Sequence, residues 1–259
     1  VKQITKDSGA FVNIVELMAS EIPRLSEVVA KQMDEPFGGF PTLGMNKVFE
    51  RAAELGVTVL LDGNGLDEGW GGYEYYSRIS EIDQNRGPVQ GAFGLVSLAK
   101  ILNGCRKDST RINLPDNLDD LQRIQYRDII YSKIPRAMRF ADRNSMLFSI
   151  ELREPFLDHR IVELGFVQPR NRKVRDGVGK YLVRRLAKDL LPDELVSAPK
   201  IAVQTPQREW LAGLLSGWAK NQISNIAHTG AAKFFERSGP ENFFESYKNG
   251  KQENSFPVW

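Results

Sequence analysis

Residues 57–73 constrain the fold more than any other part of the sequence. They open with Val57 to Leu61, a short run of apolar and β-branched residues, which is typical of a parallel strand buried on both faces. The segment from Asp62 to Gly65 follows at once, and then come the acidic pair Asp67-Glu68 and Gly71-Gly72-Tyr73. Because open α/β sheets bind ligands beyond the carboxyl ends of their strands, this order of residues predicts a binding site at the end of the strand.

Two interpretations of this segment remain open from the residues alone. Gly63 and Gly65 would let a substrate approach the backbone with no Cβ in the way, and Asp67 with Glu68 could hold Mg²⁺ against a polyphosphate. The alternative is a glycine-rich turn whose acids cap a helix and face water, since glycine and aspartate are common turn residues.

Composition excludes several classes of protein. The 259 residues are 41% hydrophobic and 26% charged, as in ordinary globular proteins. A net charge of +2 argues against an electrostatically driven nucleic-acid binder. One cysteine and two scattered histidines exclude a disulfide framework and a multi-cysteine zinc site. No apolar run approaches the roughly 18 residues of a membrane span and no signal-peptide pattern opens the chain, so we expect a cytoplasmic protein without a membrane segment.

Periodicity indicates a sheet lobe in residues 1–73. Apolar spacing predicts helices at 10–20, 23–33 and 46–54, and residues 1–4 are a candidate strand. A helix, a glycine and a buried strand in succession are typical of a parallel-sheet unit.

Residues 74–259 are expected to be mainly helical, because the strand signals stop after Tyr73. The spacing predicts an apolar helix at 95–102 and another that runs from Leu121 towards Met138.

A second block lies at residues 142–158, where the pattern predicts the end of a helix and then a charged turn around Pro155. Glu151 and Arg153 would satisfy each other or their neighbours if they were buried. A structural ion-pair corner and a catalytic role for one of these residues are both open.

The third block contains Lys180, directly after Gly179, and Lys200, a few residues before Pro206. Isolated lysines are mostly solvated surface charges, and that interpretation stands beside a role in binding.

Together the three blocks resemble the asparagine synthetase family. That family has a strand running into Ser-Gly-(Glu/Asp)-Gly-x-Asp-Glu and Gly-Gly-Tyr, and later Asp-Arg-x-Ser-Met, Ser-(Ile/Val)-Glu-x-Arg-x-Pro-Phe-Leu-Asp and Gly-Lys-x-x-Leu-Arg. Asp34-Glu35-Pro36 is similar to its Asp-Glu-Pro, and the matching motifs occur in the same order between residues 10 and 211.

The resemblance implies an α/β fold with a parallel-sheet nucleotide-binding core of the adenine nucleotide α-hydrolase type. That core is incomplete here at its N-terminus and carries a largely helical C-terminal part, in a single domain over 1–259 that we expect to be a fragment. It also implies a ligase that uses ATP and Mg²⁺ to adenylate a small carboxylate, releases pyrophosphate and admits ammonia to form an amide. The ammonia would come from a glutaminase domain or a partner, and a homodimer is compatible with the family.

The resemblance assigns roles to residues at matching positions. The implied catalytic residues are Lys200, Asn64 and Glu151. The implied ATP or pyrophosphate ligands are Asp62, Gly63, Gly65, Lys180 and Lys200. The implied substrate-binding residues are Asp34, Pro36, Gly72, Tyr73, Asp142 and Arg143, and the implied metal ligands are Asp67 and Glu68.

The chain departs from the family pattern at several points. The ATP loop Ser-Gly-Gly-x-Asp-Ser and the glutaminase domain are absent from the sequence, which truncation upstream of Val1 would explain. Asn64 stands where the asparagine-forming enzymes carry an acid, and a neutral amide cannot serve as a general base. Asp62 replaces the usual serine, and Ala198 replaces the arginine of Arg-x-Lys. These changes predict a divergent amide-forming relative.

Two alternatives therefore stay open: a non-catalytic family member that acts as a binding or scaffold protein, and a split-enzyme subunit that takes its ATP loop from another chain.

Overall fold

The computed structural model describes residues 9–77, 79, 102, 113–200, 205–251, 255 and 258–259. The chain divides into two compact units. Unit 1 comprises Val1–Glu16, Lys47–Gly87 and Ile112–Ala202, and unit 2 comprises Leu17–Asn46, Pro88–Arg111 and Val203–Trp259. The expected single domain over 1–259 stays a prediction.

Helices make up most of the described secondary structure. They are α1 (Ile22–Met33), α2 (Phe40–Glu54), α3 (Leu66–Trp70), α4 (Asp120–Arg127), α5 (Lys133–Met146), α6 (His159–Val167), α7 (Arg170–Lys173), α8 (Tyr181–Ala187), α9 (Asp193–Ser197), α10 (Gln207–Ala212), α11 (Ser216–Asn225) and α12 (Gly239–Lys248). Short 3₁₀ turns lie at Ala19–Glu21, Glu74–Tyr76, Pro155–Leu157, Ile226–His228 and Gly230–Phe234. In the part of the chain that the structure describes, no helix is long and apolar enough to cross a membrane.

The helices predicted at 23–33 and 46–54 are confirmed by α1 and α2, and α2 begins earlier, at Phe40. The helix predicted at 10–20 is wrong, because residues 9–18 have no regular structure and only a 3₁₀ turn follows. Phe11 and Ile14 are exposed, and a short helix that packs its apolar face on nothing is marginal in water.

Two other predictions concern residues that the structure does not describe. The candidate strand at 1–4 lies outside the described residues, and so does the helix at 95–102 except for its last residue. That residue, Leu102, forms an antiparallel bridge with Phe235 within unit 2.

Where the structure describes residues 74–259 they are mainly helical, as predicted, and three short strands also occur there although the strand signals stop after Tyr73. β1 (Val59–Leu61) pairs in parallel with β2 (Glu151–Arg153), and β3 (Val174–Arg175) pairs antiparallel with β4 (Val178–Gly179). In the parallel pair Leu60 lies beside Leu152, and both pack on a core cluster formed by Phe49, Ala52 and Ile150.

The prediction that β1 is buried on both faces is wrong. Val59 is 44% exposed and Leu61 is 72% exposed. Side chains alternate between the two faces of a strand, so Leu60 meets the core while its neighbours point to the other face. A strand is fully buried only when both faces are covered, and the described residues cover one.

The helix predicted from Leu121 towards Met138 is confirmed by α4 and α5, which a π turn at Asp128–Ser132 joins. Asp119 caps α4 by accepting a hydrogen bond of 2.8 Å from the backbone N–H of Gln122. Pro135 has no N–H to donate to the carbonyl four residues earlier. The wider turn just before it is one way for the helix to accommodate that loss.

Candidate functional site

Asp67 lies between two lysines in unit 1. It is the second residue of α3, and Lys180 Nζ lies 3.0 Å from its Oδ1 while Lys200 Nζ lies 2.8 Å from its Oδ2. The two lysine side chains are 21% and 30% exposed, so both are only partly solvated. Burial alone would raise the pKa of Asp67, but its contacts with Lys200 and Lys180 hold it below the ordinary value.

Gly72 makes room for this carboxylate. A Cβ on Gly72 would lie 1.8 Å from Asp67 Oδ1 and 2.9 Å from Asp67 Cα. The glycine is therefore explained by packing within the chain, and its predicted role in substrate binding stays a prediction.

The two glycines that flank Asn64 have different surroundings. Gly65 has a φ of +91°, and a Cβ there would lie 2.2 Å from the Cδ2 atom of Leu157, so its own backbone and packing require glycine. Among the residues that the structure describes, a Cβ on Gly63 would meet nothing within 4 Å. Of these two glycines, only Gly63 therefore leaves space among the described residues in which a ligand could come close to the backbone.

Glu68 has a different environment from its neighbour Asp67. It is buried, and its Oε1 accepts a hydrogen bond of 2.8 Å from the Tyr73 hydroxyl. Burial raises the pKa of Glu68, and the hydrogen bond from Tyr73 and the charge of Lys133 offset this only in part.

The implied Mg²⁺ site does not fit this arrangement. Asp67 contacts two ammonium groups and Glu68 contacts a tyrosine, so the two carboxylates are not arranged as a pair of metal ligands. Among the described residues, no group of three or more histidine, cysteine, aspartate or glutamate side chains could hold a metal ion.

Lys133 is a buried cation beside the site that the sequence motifs did not single out. Its Nζ lies 3.3 Å from the centroid of the Tyr73 ring and 4.6 Å from that of Tyr75, which are cation–π distances. Desolvation lowers the pKa of Lys133 to about 8, against the attraction of Asp128 and Glu68. Lys200 Nζ lies 4.7 Å from the same Tyr73 ring, so Tyr73 connects both lysines to Glu68.

The π turn positions the group beside Lys133. Asp128, which is buried within the turn, accepts hydrogen bonds from the hydroxyls of Tyr75 and Tyr76. Lys133 is the first residue after the turn. The one sequence signal for this arrangement is Pro135 inside an otherwise helical pattern.

A second buried lysine anchors α3 from the other side. Lys173 Nζ donates to Gln125 Oε1 at 2.7 Å and to the Phe166 carbonyl at 2.9 Å. The Gln125 amide in turn donates to the carbonyls of Glu68 and Gly69, at 2.6 and 2.8 Å. Burial lowers the pKa of Lys173 to about 8. A five-residue helix is too short to be stable alone, so these bonds hold Asp67 and Glu68 in place.

Asn64 links two acids beyond the carboxyl ends of β1 and β2. Its Nδ2 donates to Asp62 Oδ2 at 2.7 Å and to Glu154 Oε1 at 3.2 Å. Burial raises the pKa of Glu154; the charge of Asp62 adds to this, and the hydrogen bonds from Asn64 oppose it. The parallel pairing of β1 with β2 explains this proximity, because it brings residues 62–64 and 154 to the same edge of the sheet.

The remaining predicted site residues are placed as follows. Glu151 is exposed and its Oε1 lies 3.5 Å from Arg153 Nε, so these two charges pair at the surface. Asp142 is exposed and Arg143 half-buried near the end of α5. Asp34 and Pro36 belong to unit 2, in the exposed loop after α1. The predicted roles of these residues stay predictions.

Comparison with known proteins shows one family. The family model described as asparagine synthase matches residues 10–259. The chain is 25% identical over 256 residues to asparagine synthetase [glutamine-hydrolyzing] 1 of Bacillus subtilis (strain 168), which covers 81% of the chain and 40% of that protein. It is 24% identical over 273 residues to a putative asparagine synthetase [glutamine-hydrolyzing] of Mycobacterium tuberculosis (strain ATCC 25618 / H37Rv), covering 88% of the chain and 41% of that protein. The chain thus spans about two fifths of the length of these curated relatives.

Proposed function

Because the chain belongs to the asparagine synthase family, we propose that it carries the synthetase part of an ATP-dependent amide-forming ligase. In this reaction the oxygen of a small carboxylate substrate attacks ATP and pyrophosphate leaves. An amine or ammonia then attacks the resulting acyl-adenylate, and AMP departs. The adenine nucleotide α-hydrolase-like fold is the one that the family implies. The ammonia would come from a glutaminase domain or a partner chain, as the names of the relatives suggest.

The observation that carries this proposal is the contact of Lys180 and Lys200 with one carboxylate, Asp67. Two ammonium groups face a single negative charge, so the cluster has an excess of positive charge in a partly buried place. A polyphosphate carries several negative charges and could take up both lysines, either beside Asp67 or in its place. Positive groups fixed in this way before the reaction stabilise the charge that develops on departing pyrophosphate.

Tyr73 supports the position of one of these lysines. Its ring lies 4.7 Å from Lys200 Nζ, and its hydroxyl is held by Glu68. The short chain of contacts keeps Lys200 beside Asp67 before any ligand arrives, which lowers the reorganisation that the reaction requires.

Exchange between ATP and pyrophosphate tests the proposal in the full-length protein. The exchange would be measured with L-aspartate and a panel of other small carboxylates. We expect Lys200→Met to lower carboxylate-dependent exchange by about 100-fold or more, because it removes a charge that faces the departing group. Lys188→Met is the matched control, since Lys188 is exposed just beyond α8. Undiminished exchange in Lys200→Met would refute the role of the lysine pair.

A second candidate function is a binding protein that keeps the fold without the chemistry, and the neutral Asn64 is the observation that favours it. Thermal unfolding with and without ATP separates the two functions. A ligase requires that ATP raise the melting temperature, because a ligand that binds only the folded state stabilises it. An unchanged melting temperature at millimolar ATP would favour the second candidate.

A further inference from the structure

Amide formation requires a group that accepts a proton from the attacking nitrogen, and Asn64 cannot be that group because its side chain is a neutral amide. Two carboxylates lie within hydrogen-bond distance of Asn64, namely Asp62 and Glu154. Both follow the carboxyl ends of parallel strands, where α/β sheets bind ligands.

The hydrogen bonds distinguish the two acids. Both oxygens of Asp62 have donors, since Oδ1 accepts from the backbone N–H of Gly63 at 2.6 Å and Oδ2 accepts from Asn64. Glu154 uses Oε1 in its side-chain bond with Asn64, while its Oε2 is buried and has no hydrogen-bond partner among the residues that the structure describes. A buried carboxylate oxygen without a donor costs about 1–3 kcal/mol. The attacking amine would supply the donor that this oxygen lacks.

Asn64 has a definite orientation in this arrangement. Both N–H bonds of its amide are used, one for each acid, and its carbonyl oxygen is the acceptor that remains. An amine held between this carbonyl oxygen and Glu154 would have two acceptors, one of which can take its proton.

We propose that Glu154 is the general base of the amide-forming step and that Asn64 orients it. This inference rests on the proposed function. The amine nitrogen forms a bond to the acyl carbon of the adenylate, and one of its protons passes to the Glu154 carboxylate. The bond from the acyl carbon to the phosphate oxygen then breaks, and AMP leaves with the electron pair. Glu154 returns its proton to solvent. The raised pKa of Glu154 makes it a stronger proton acceptor than an ordinary carboxylate.

The experiment compares the two half-reactions in the full-length protein. ATP–pyrophosphate exchange reports on adenylation, and amide formation from ammonium chloride reports on the second step. The carboxylate is L-aspartate or any member of the panel that supports exchange. We expect Glu154→Gln to leave exchange within about twofold and to lower amide formation by about 10²–10⁴-fold, the range for loss of a general base.

Two further variants control for structure. Glu163→Gln makes the same change at an exposed residue of α6 and should alter neither rate. The exchanged pair Asn64→Asp with Glu154→Gln moves the carboxylate from position 154 to position 64. It keeps the net charge and a donor–acceptor pair between positions 64 and 154, but it removes the donor that Asn64 supplies to Asp62. We expect this double variant to recover amide formation at least about tenfold over Glu154→Gln, since a base is again within reach.

Each outcome has a defined meaning. Amide formation that stays within threefold in Glu154→Gln overturns the inference and leaves the proposed function intact. Exchange and amide formation that fall together also overturn it, because Glu154 would then act in adenylation or folding. If the unaltered protein shows no exchange with any carboxylate, the proposed function fails and the inference fails with it.

Discussion

Replacing Gly72 by alanine tests whether this glycine exists to admit the Asp67 carboxylate. The new Cβ would lie 1.8 Å from Oδ1, 2.7 Å from Cγ and 2.9 Å from Cα of Asp67. Rotation of the carboxylate can relieve the first two contacts, but the third involves the backbone, so the turn after α3 must move as well. The contact between Asp67 and its two lysines would then be lost or weakened.

The expected loss of stability follows from these two effects. Forcing an extra carbon into a packed site costs about 1–3 kcal/mol. Separating Asp67 from Lys180 and Lys200 adds only about 1 kcal/mol, because both lysines are partly exposed and solvent screens the pairs. We therefore expect Gly72→Ala to lower the free energy of unfolding by about 2–4 kcal/mol, which is a fall in melting temperature of roughly 5–15 °C.

Urea unfolding followed by circular dichroism measures this change, and Gly69→Ala is the matched control. Gly69 lies in α3, three residues earlier, and a Cβ there would meet no atom of the described part of the chain within 4 Å. We expect the control to match the unaltered protein or to exceed it by up to about 1 kcal/mol, since alanine favours a helix. A Gly72→Ala protein within about 0.5 kcal/mol of the unaltered one, with Asp67 still on both lysines in its crystal structure, would refute the reasoning.

Three other substitutions have expected outcomes from the same unit. Lys173→Met leaves the side-chain oxygen Oε1 of Gln125 without its donor. We expect the free energy of unfolding in urea at pH 7 to fall by about 2–3 kcal/mol. The pKa of Lys173 is about 8 in the folded protein and higher in the unfolded chain. At a pH between these two pKa values the unfolded state therefore binds more protons than the folded state. Stability from this lysine therefore rises with pH above about 8, and the methionine variant should lose that rise. Asp119→Ala removes the cap of α4 and should cost about 1 kcal/mol; an unchanged urea midpoint would contradict the cap. Tyr73→Phe removes the donor to Glu68, whose pKa is already raised by burial. Loss of that hydrogen bond should raise the folded pKa of Glu68 further. The contribution of Glu68 to the free energy of unfolding falls as pH rises through this folded pKa, so in the variant the fall should extend to higher pH. Urea unfolding between pH 4 and 8 measures this, and curves that coincide with those of the unaltered protein would contradict it.

The sequence predicted α1, α2, α4 and α5 from local pattern, together with a helix at 10–20 that does not form. Apolar spacing located α1 and most of α2, and the motifs placed Asp67, Lys180 and Lys200 in the candidate site. Only the structure shows that the two lysines meet Asp67, because they are more than 100 residues away in the chain. The sequence contains no pairwise distance, and from the residues alone both lysines could equally have been surface charges.

The parts that were missed share a physical cause, which is that they depend on tertiary context. β2 has only three residues, with a charged residue on each side of Leu152, and so short an alternation carries little signal. The burial of β1 was overestimated because an apolar run does not show whether both faces will be covered. Lys133 and Lys173 look like surface lysines in the sequence, and only their packing removes them from water.

The π turn at Asp128–Ser132 also determines which changes in length this region can accept. Each residue of an α-helix advances the chain by about 100° around the axis, so deleting one residue from the turn would rotate all of α5 relative to α4. Lys133 would then leave the Tyr73 ring, although no residue of the site had been substituted. An insertion or deletion in this turn therefore changes the rotation of α5 about its axis. Single-residue deletions across 128–132 should disturb the contact between Lys133 and Tyr73 more than deletions in an exposed loop.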